Sequence, residues 1–406
     1  MTSFDTSPQL SVWRALLALA VVFVMLATGG WTSLHSHRGA SPLEASRSSW
    51  ERGRVAGQRL PDLASAPSRL GRFFASLNAH QRTRLAHRYP LAVGNMNGAP
   101  VQLRYLANRI AIDHQRKVES KRMHDDRLSS VGQHEAGRRM HRYEALLSKG
   151  RKILAFDPTG SGRIAEVFGN LDKAERVSLV VPGVDTDLLT FQRTNRTYTA
   201  PVGMARSLYK AERATSPGTR TAVIAWADYT TPSGIGVDAA TAMRAEEGAV
   251  RLNALLRALP GRAPVALYCH SYGSVLCGVA ARSLPSRVLD IAVAGSPGMH
   301  ARNASSLHTA ARIWAMRDSD DWIQDVPNLE LGGLGHGADP VSKGFGARIL
   351  SADGAKGHAG YFEPGTESLR NFARIGVGAY PSVQCADTED DACRMGLSDA
   401  SAAGRA

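Results

Sequence analysis

The chain has 406 residues, of which 43% are hydrophobic, so it is long enough for one large domain with additional helices. Its formal charge is +13, and the first 150 residues carry 22 Lys/Arg against 10 Asp/Glu, whereas the remainder is nearly neutral. Because aromatic residues are sparse among the basic ones and no nucleic-acid motif accompanies them, the composition argues against a nucleic-acid partner. It favours a solvated basic helical face, and anionic lipid is the other partner that such a charge would suit.

An apolar stretch near the N-terminus, residues 15–31, is at the short end for a membrane span. Arg14 precedes it and no clean Ala-x-Ala site follows, so a retained signal anchor is slightly favoured over a cleaved signal peptide. We therefore expect residues 1–34 to hold the protein at the cell membrane or to direct its secretion, with the following domain outside the cytoplasm. The orientation of an anchor stays open, because arginines lie on both sides of it.

Residues 35–68 are rich in Ser, Arg, Ala and Gly and are predicted to form a linker. Apolar residues recur at helical spacing from 69 to 88, and a second helical stretch runs from about 102 to 149. These helices predict a basic helical region, or cap, over residues 69–150. The final stretch, residues 384–406, is polar and is predicted to be disordered.

The four cysteines fall into two groups. Cys385 and Cys393 are close enough in the chain to form a disulfide, which would suit an extracytoplasmic protein. Cys269 and Cys277 are expected to pack as small apolar residues.

Strand and helix patterns alternate between residues 151 and 383. Residues 153–156 and 163–168 predict a hairpin, and several buried β-rich runs follow it. These later strands are predicted at 176–181, 221–226, 264–268, 288–294, 312–316 and 347–351. The helices between and after them are predicted at 201–213, 237–259, from 274 onward, and at 366–375. The pattern indicates an α/β fold with a mostly parallel sheet, helices on both faces and an antiparallel edge.

Residues 268–273, Tyr-Cys-His-Ser-Tyr-Gly, lie between a predicted strand and a predicted helix. A serine on such a turn is the layout of a nucleophile elbow, which exposes the hydroxyl beside the first N–H groups of the helix. The usual motif is Gly-x-Ser-x-Gly, and here the small residue Cys269 replaces the first glycine. Ser271 is the predicted nucleophile, and the alternative is an ordinary turn with a capping serine.

A serine nucleophile needs a histidine base and a carboxylate, in the chain order Ser, Asp or Glu, His. Functional groups gather at the carboxyl ends of strands, so the acid is expected in the aspartate-rich loop after 312–316. We predict Asp321, with Asp320 as the runner-up. His358, which follows the last strand, is the predicted base, and His336 is less favoured because it precedes that strand. His270 is expected to point to the other side of the turn, away from a role as base.

The oxyanion hole is predicted from the N–H groups of Tyr272 and Val184, and Gly183 allows the second loop to approach closely. Asp185 and Asp187 in that loop are interpreted mainly as capping residues. A metal site built from His336, Asp339 and the aspartates near residue 320 lacks any supporting motif, so neither a metal nor another cofactor is expected.

Several of these motifs resemble an actinobacterial α/β-hydrolase family of unknown function. They are Pro90–Pro100 with Ala107–Arg109, Val181–Val184, His270–Ser274, Asp321–Ile323, His336–Pro340, Phe345–Arg348, and Gly357-His358 with Tyr361-Phe362. The family usually reads Gly-His-Ser-Tyr-Gly-Ser, from which Cys269 departs. The resemblance implies an α/β-hydrolase fold, a Ser271–Asp321–His358 triad, and a Gly94–Arg109 segment that belongs to the hydrolase unit. It implies no substrate.

The leading hypothesis is a serine hydrolase, esterase-like or lipase-like, that cleaves an ester, thioester or amide through an acyl-enzyme on Ser271. A small-molecule or lipid-like ester is the expected substrate, and preference for esters over peptides rests on fold-level analogy. The alternative is a non-catalytic binding module at the cell envelope. The sequence leaves the oligomeric state open.

Overall fold

The computed structural model describes residues 40–328, 330–331, 333–387 and 391–397. The predicted apolar segment, residues 15–31, lies outside these ranges. Within them, no helix is both long enough and apolar enough to cross a bilayer.

An eight-stranded sheet forms the centre of the molecule. Its strands are β3 (Ile153–Asp157), β4 (Arg163–Gly169), β5 (Arg176–Val181), β6 (Thr221–Ala227), β7 (Val265–His270), β8 (Val288–Ala294), β9 (Arg312–Met316) and β12 (Arg348–Ile349). Their spatial order is β12-β9-β8-β7-β5-β6-β4-β3. Two further short strands, β10 (Glu330–Leu331) and β11 (Leu334–Gly335), pair with each other outside this sheet. Only β4 runs against its neighbours, so the predicted mostly parallel sheet with an antiparallel edge is confirmed.

Helices cover both faces of the sheet. They are α7 (Pro201–Thr215), α9 (Met243–Ala258), α10 (Tyr272–Ala280) and α11 (Glu367–Val377). The short helix α8 (Val237–Ala240) precedes α9 and has no buried residue. Neighbouring residues of β5 show the two-residue period, because Leu179 packs in the core beneath α9 and α10 whereas Val180 packs in the core beneath α7 and α11. A sheet buried on both faces requires apolar residues at successive positions, which is why the β-branched runs predicted these strands well.

The N-terminal helices pack beside the antiparallel edge of the sheet. They are α1 (Pro42–Glu51), α2 (Pro67–Ser76), α3 (Ala79–Arg88), α4 (Pro90–Gly94), α5 (Val101–Arg122) and α6 (Ser130–Leu146). The Asn95 side chain donates to the carbonyl of Phe156 at 2.7 Å, and Asn108 donates to that of Ile153 at 3.0 Å. These bonds satisfy backbone groups of β3, so Gly94–Arg109 belongs to the same unit as the sheet, as the resemblance implied.

The predicted linker, residues 35–68, is wrong over most of its described length. It contains α1 and a small hairpin of β1 (Arg54–Val55) and β2 (Gln58–Arg59). Trp50 is fully buried against Phe74 and Tyr89, and its indole N–H donates to Pro61. A few widely spaced apolar residues anchor this polar stretch, and a search for periodicity misses such anchors.

The C-terminal stretch is also more ordered than predicted. Cys385 and Cys393 form the expected disulfide, and both are buried. Ala386 N–H donates to the Ile349 carbonyl at 3.1 Å, so residues 384–387 lie along β12. The prediction of disorder is wrong for these residues and for 391–397, and the rest of that range lies outside the described residues.

Candidate active site

Ser271 occupies a sharp turn between β7 and α10. Its backbone has φ 55° and ψ −129°, a conformation that non-glycine residues rarely adopt. Such strain costs about 1–3 kcal/mol and persists only where the surroundings enforce it. Here the Ser271 N–H donates to the Ala294 carbonyl at 3.0 Å, which fixes the turn on the neighbouring strand. The geometry is that of the predicted nucleophile elbow.

Two glycines permit this turn. A Cβ on Gly273 would lie 2.5 Å from the Val181 carbonyl oxygen, and a Cβ on Gly183 would lie 2.6 Å from the Cβ of Ser271. Real Cβ atoms do not approach other atoms so closely, so both positions require glycine. The loop after β5 therefore passes directly beside the nucleophile.

A disulfide joins the two sides of the elbow. Cys269, two residues before the nucleophile on β7, is bonded to Cys277 on α10, and both residues are buried. Both residues pack in the hydrophobic core, as predicted, but the disulfide between them was not predicted. The turn folds the helix back against the strand, and sequence spacing alone did not indicate this contact.

Asp321 and His358 form a buried pair beyond the ends of β9 and β12. The His358 Nδ1 and the Asp321 Oδ1 are 2.8 Å apart. Asp321 is fully buried and also accepts bonds from the Tyr361 hydroxyl at 2.5 Å and the Ile323 N–H at 3.0 Å. Burial acts to raise the pKa of Asp321, but the bonds from His358, Tyr361 and Ile323 outweigh it and lower that pKa. The carboxylate therefore stays ionised and fixes His358 with its proton on Nδ1.

His270, the residue before Ser271, contacts the predicted base His358. Its Nε2 donates to the backbone carbonyl of His358 at 2.5 Å, and the two ring centroids are 4.8 Å apart. Burial, and then the nearby His358, lower the pKa of His270 to about 3, so it is neutral at physiological pH. The expectation that His270 points away from the site is wrong, and its contact with His358 was not predicted.

The predicted acid and base both lie beside Gly295, the residue after β8. A Cβ on Gly295 would lie 2.8 Å from the Asp321 Oδ2 and 3.1 Å from the His358 Nδ1, and the preceding Ala294 carbonyl accepts from Ser271. Among the described residues, the Ser271 hydroxyl does not form a hydrogen bond with His358. Catalytic bonds in a free enzyme are often long and tighten only when substrate binds.

The alternative residues have other contacts. Asp320 is exposed, and its backbone N–H donates to Asp318 at 3.3 Å. The His336 Nε2 donates to the Ala239 carbonyl at 2.6 Å, and Asp339 pairs with Arg317 at 2.7 Å. Across the described ranges, no three His, Cys, Asp or Glu side chains are grouped as a metal site.

The predicted oxyanion donors flank the nucleophile. Tyr272 is the first residue of α10, and Val184 lines the same cavity as Ser271. The two aspartates that follow Val184 in this loop accept hydrogen bonds from backbone N–H groups. Asp185 accepts from the Gly234 N–H and Asp187 from the Thr190 N–H, each at 2.7 Å, which fits the capping interpretation.

A cavity of about 350 Å³ opens beside Ser271. The 235–240 and 322–327 segments both contribute to its walls. The lining residues are Val184, Ile235, Ala239, Ala240, Ser271, Tyr272, Pro297, Trp322, Ile323, Val326, Pro327, Gly335 and His336. None of these lining residues comes from the range predicted as a basic helical region or cap, residues 69–150.

The sequence is similar to one family of known proteins and to two curated mycobacterial proteins. Residues 157–331 match the model of a family described as "Alpha/beta hydrolase". The chain is 28% identical over 379 residues to "Uncharacterized protein Rv2079" of Mycobacterium tuberculosis strain H37Rv, covering 79% of this chain and 57% of the relative. The same figures hold for "Uncharacterized protein MT2140" of strain CDC 1551. This chain thus spans little more than half the length of these relatives.

Two solved structures share a more distant likeness. The dienelactone hydrolase of Anabaena variabilis is 18% identical with a TM-score of 0.31, over 53% of this chain and 88% of that one. XC6422 from Xanthomonas campestris, described as an a/b serine hydrolase without lid, is 12% identical with a TM-score of 0.31, over 57% and 96%.

Proposed function

We propose that this chain is a serine hydrolase of the α/β-hydrolase type that cleaves carboxylic esters through an acyl-enzyme on Ser271. The observation that carries the proposal is the buried Asp321–His358 pair beside a strained serine elbow. A serine on a strained strand-to-helix turn, with a histidine oriented by a carboxylate, is the arrangement that activates a serine hydroxyl. Thioesters and amides share this chemistry, and esters are preferred on fold-level analogy.

The proposed reaction has two halves. The Ser271 Oγ attacks the substrate carbonyl while the His358 Nε2 takes the hydroxyl proton, and the Asp321 carboxylate stabilises the imidazolium. The N–H groups of Tyr272 and Val184 donate to the oxyanion. His358 then returns the proton to the departing alcohol oxygen, and the acyl group remains on Ser271. A water molecule, deprotonated by His358, attacks the acyl-enzyme and releases the carboxylic acid and the free serine.

The position of the protein in the cell is part of the proposal. The apolar residues 15–31 would anchor the chain in the cell membrane or direct its secretion, with the hydrolase domain outside the cytoplasm. The two disulfides support an oxidising location. A protein held at a membrane surface would meet lipid-like esters there.

Labelling with a fluorophosphonate, which reacts with activated serines, tests the function. We expect wild-type protein to be labelled and Ser271→Ala and His358→Ala to lose labelling. Ser342→Ala and His87→Ala are matched controls, because both residues are exposed and distant in sequence from the elbow. A folded wild type that is not labelled would contradict the proposal and support the non-catalytic binding module.

A further inference from the structure

Apolar side chains make up most of the lining of the cavity beside Ser271. Among the residues that the structure describes, no Lys, Arg, Asp or Glu lines it, and its walls are made mainly by Ile, Val, Ala, Pro and Trp side chains. Such a lining stabilises an apolar group and excludes an unpaired charge.

The two largest polar side chains of the cavity direct polar atoms to the protein itself. The Tyr272 hydroxyl donates to the Thr241 carbonyl at 2.8 Å and accepts from the Ala245 N–H at 3.2 Å. The His336 Nε2 donates to the Ala239 carbonyl at 2.6 Å. These bonds hold the 239–245 segment in place as a wall. The Tyr272 hydroxyl is therefore already paired within the protein, and the reacting carbonyl would lie at the elbow.

Exposed apolar side chains continue the cavity outward. We call Ile235, Val237, Trp322 and Leu334 the apolar rim, and they are 81%, 45%, 47% and 52% exposed. They are four of the nine large exposed apolar side chains in the described part of the chain. All four lie on or next to the segments that line the cavity. Single exposed apolar residues scattered over a surface are common, whereas a group of them beside a cavity indicates a binding surface.

We propose that the cavity binds the acyl chain of the substrate, and that the enzyme prefers esters of medium- and long-chain apolar carboxylic acids. This inference rests on the proposed function of Ser271. The first methylenes enter between the 235–240 and 322–327 segments, and the part of a longer chain that does not fit lies on the apolar rim. Trp322 belongs to both the cavity and the apolar rim, because it lines the cavity and is 47% exposed. Its ring centroid also lies 4.7 Å from that of His358.

Chain length gives a quantitative expectation. Each methylene that leaves water for an apolar cavity raises kcat/KM about three- to fourfold. We expect wild-type protein to hydrolyse p-nitrophenyl octanoate with a kcat/KM about 100-fold or more above that for the acetate, since several of the six additional methylenes would be buried. A charged acyl group such as a succinyl monoester would be a poor substrate, because nothing in the cavity pairs with its carboxylate.

The test compares the full-length protein with two variants on monomeric p-nitrophenyl acetate, octanoate and dodecanoate. Ala240→Trp fills the cavity, so the ratio of kcat/KM for octanoate to that for acetate should fall below about tenfold. Leu334→Ser alters the apolar rim without changing a residue that lines the cavity, and should lower the ratio of kcat/KM for dodecanoate to that for acetate about three- to fivefold. Val131→Trp is the control, because Val131 is 74% exposed on α6.

Fluorophosphonate labelling of the same proteins separates the two proposals. Wild type that is labelled but hydrolyses acetate and octanoate equally well would overturn the acyl-chain inference and leave the serine hydrolase intact. Wild type that is neither labelled nor active would overturn both. If Ala240→Trp is not labelled and therefore does not keep the site, Leu334→Ser decides, and an unchanged ratio of dodecanoate to acetate hydrolysis in that variant would overturn the inference.

Discussion

Asp321 and Trp322 are neighbours in the chain but belong to opposite environments. The Asp321 carboxylate is fully buried and accepts hydrogen bonds from His358, Tyr361 and Ile323, whereas Trp322 is 47% exposed at the cavity mouth. The polar side of the site consists of groups fixed by hydrogen bonds to one another, and the cavity side is lined mainly by apolar side chains. The first side is suited to proton transfer, and the second to recognition of an apolar group.

The difference extends to how each side is built. The catalytic side rests on the ends of central strands and on a network in which each member fixes the next. The cavity side consists of surface segments with short helical turns and an exposed rim, where substitutions cost little folding free energy. Chemistry and specificity should therefore respond separately to mutation.

The largest expected effect is on the catalytic side. Asp321→Asn keeps the shape of the residue but removes the charge that orients His358 and stabilises its protonated form, so we expect kcat to fall about 10³–10⁴-fold. The preference for octanoate over acetate should stay within about threefold of wild type, since the cavity is untouched. Steady-state kinetics on both esters measure this, and a large change in chain preference would break the separation of the two sides.

The elbow disulfide should act on stability rather than on specificity. Closing a loop of this length constrains the unfolded chain by about 2–3 kcal/mol, so Cys269→Ala/Cys277→Ala should lower the free energy of unfolding by that amount. The matched control is Cys385→Ala/Cys393→Ala, which removes a bridge of equal sequence separation far from Ser271 in the chain. Denaturant unfolding measures both. At a temperature where all three proteins are folded, fluorophosphonate labelling rates should agree, and a selective loss in the elbow variant would instead give that disulfide a role in positioning the serine.

His270 should give a smaller rate effect with a pH signature. His270→Phe removes the donor to the His358 carbonyl, and we expect kcat to fall about tenfold. The folded-state pKa of about 3 lies below the unfolded value of about 6.5, so the unfolded chain binds the extra proton between these values. Wild-type stability should therefore fall as the pH falls from about 6.5 towards 3, and the variant should lose less over that window. Melting temperatures at pH 7 and pH 4.5 measure the difference, and equal slopes would contradict the assignment.

Strand order predicted the catalytic side, and three strands match their predicted bounds because buried β-branched runs have sharp ends. Asp321 and His358 were selected by the strand each one follows, and the structure brings them together. The contacts of Tyr361 and His270 could not be found in this way, because each joins segments that are distant in sequence. The cavity walls were missed since they are surface segments without a periodic pattern, and the N-terminal helices were assigned that role instead.

The most direct test is to trap the acyl-enzyme itself. Wild-type protein is mixed with p-nitrophenyl octanoate, quenched in acid within the first turnover, digested and analysed by mass spectrometry, with Ser271→Ala treated in parallel. We predict one octanoyl group on the peptide that contains Ser271, and none in the variant. An octanoyl group on another residue, or steady hydrolysis by Ser271→Ala at the wild-type rate, would contradict a serine hydrolase centred on this elbow.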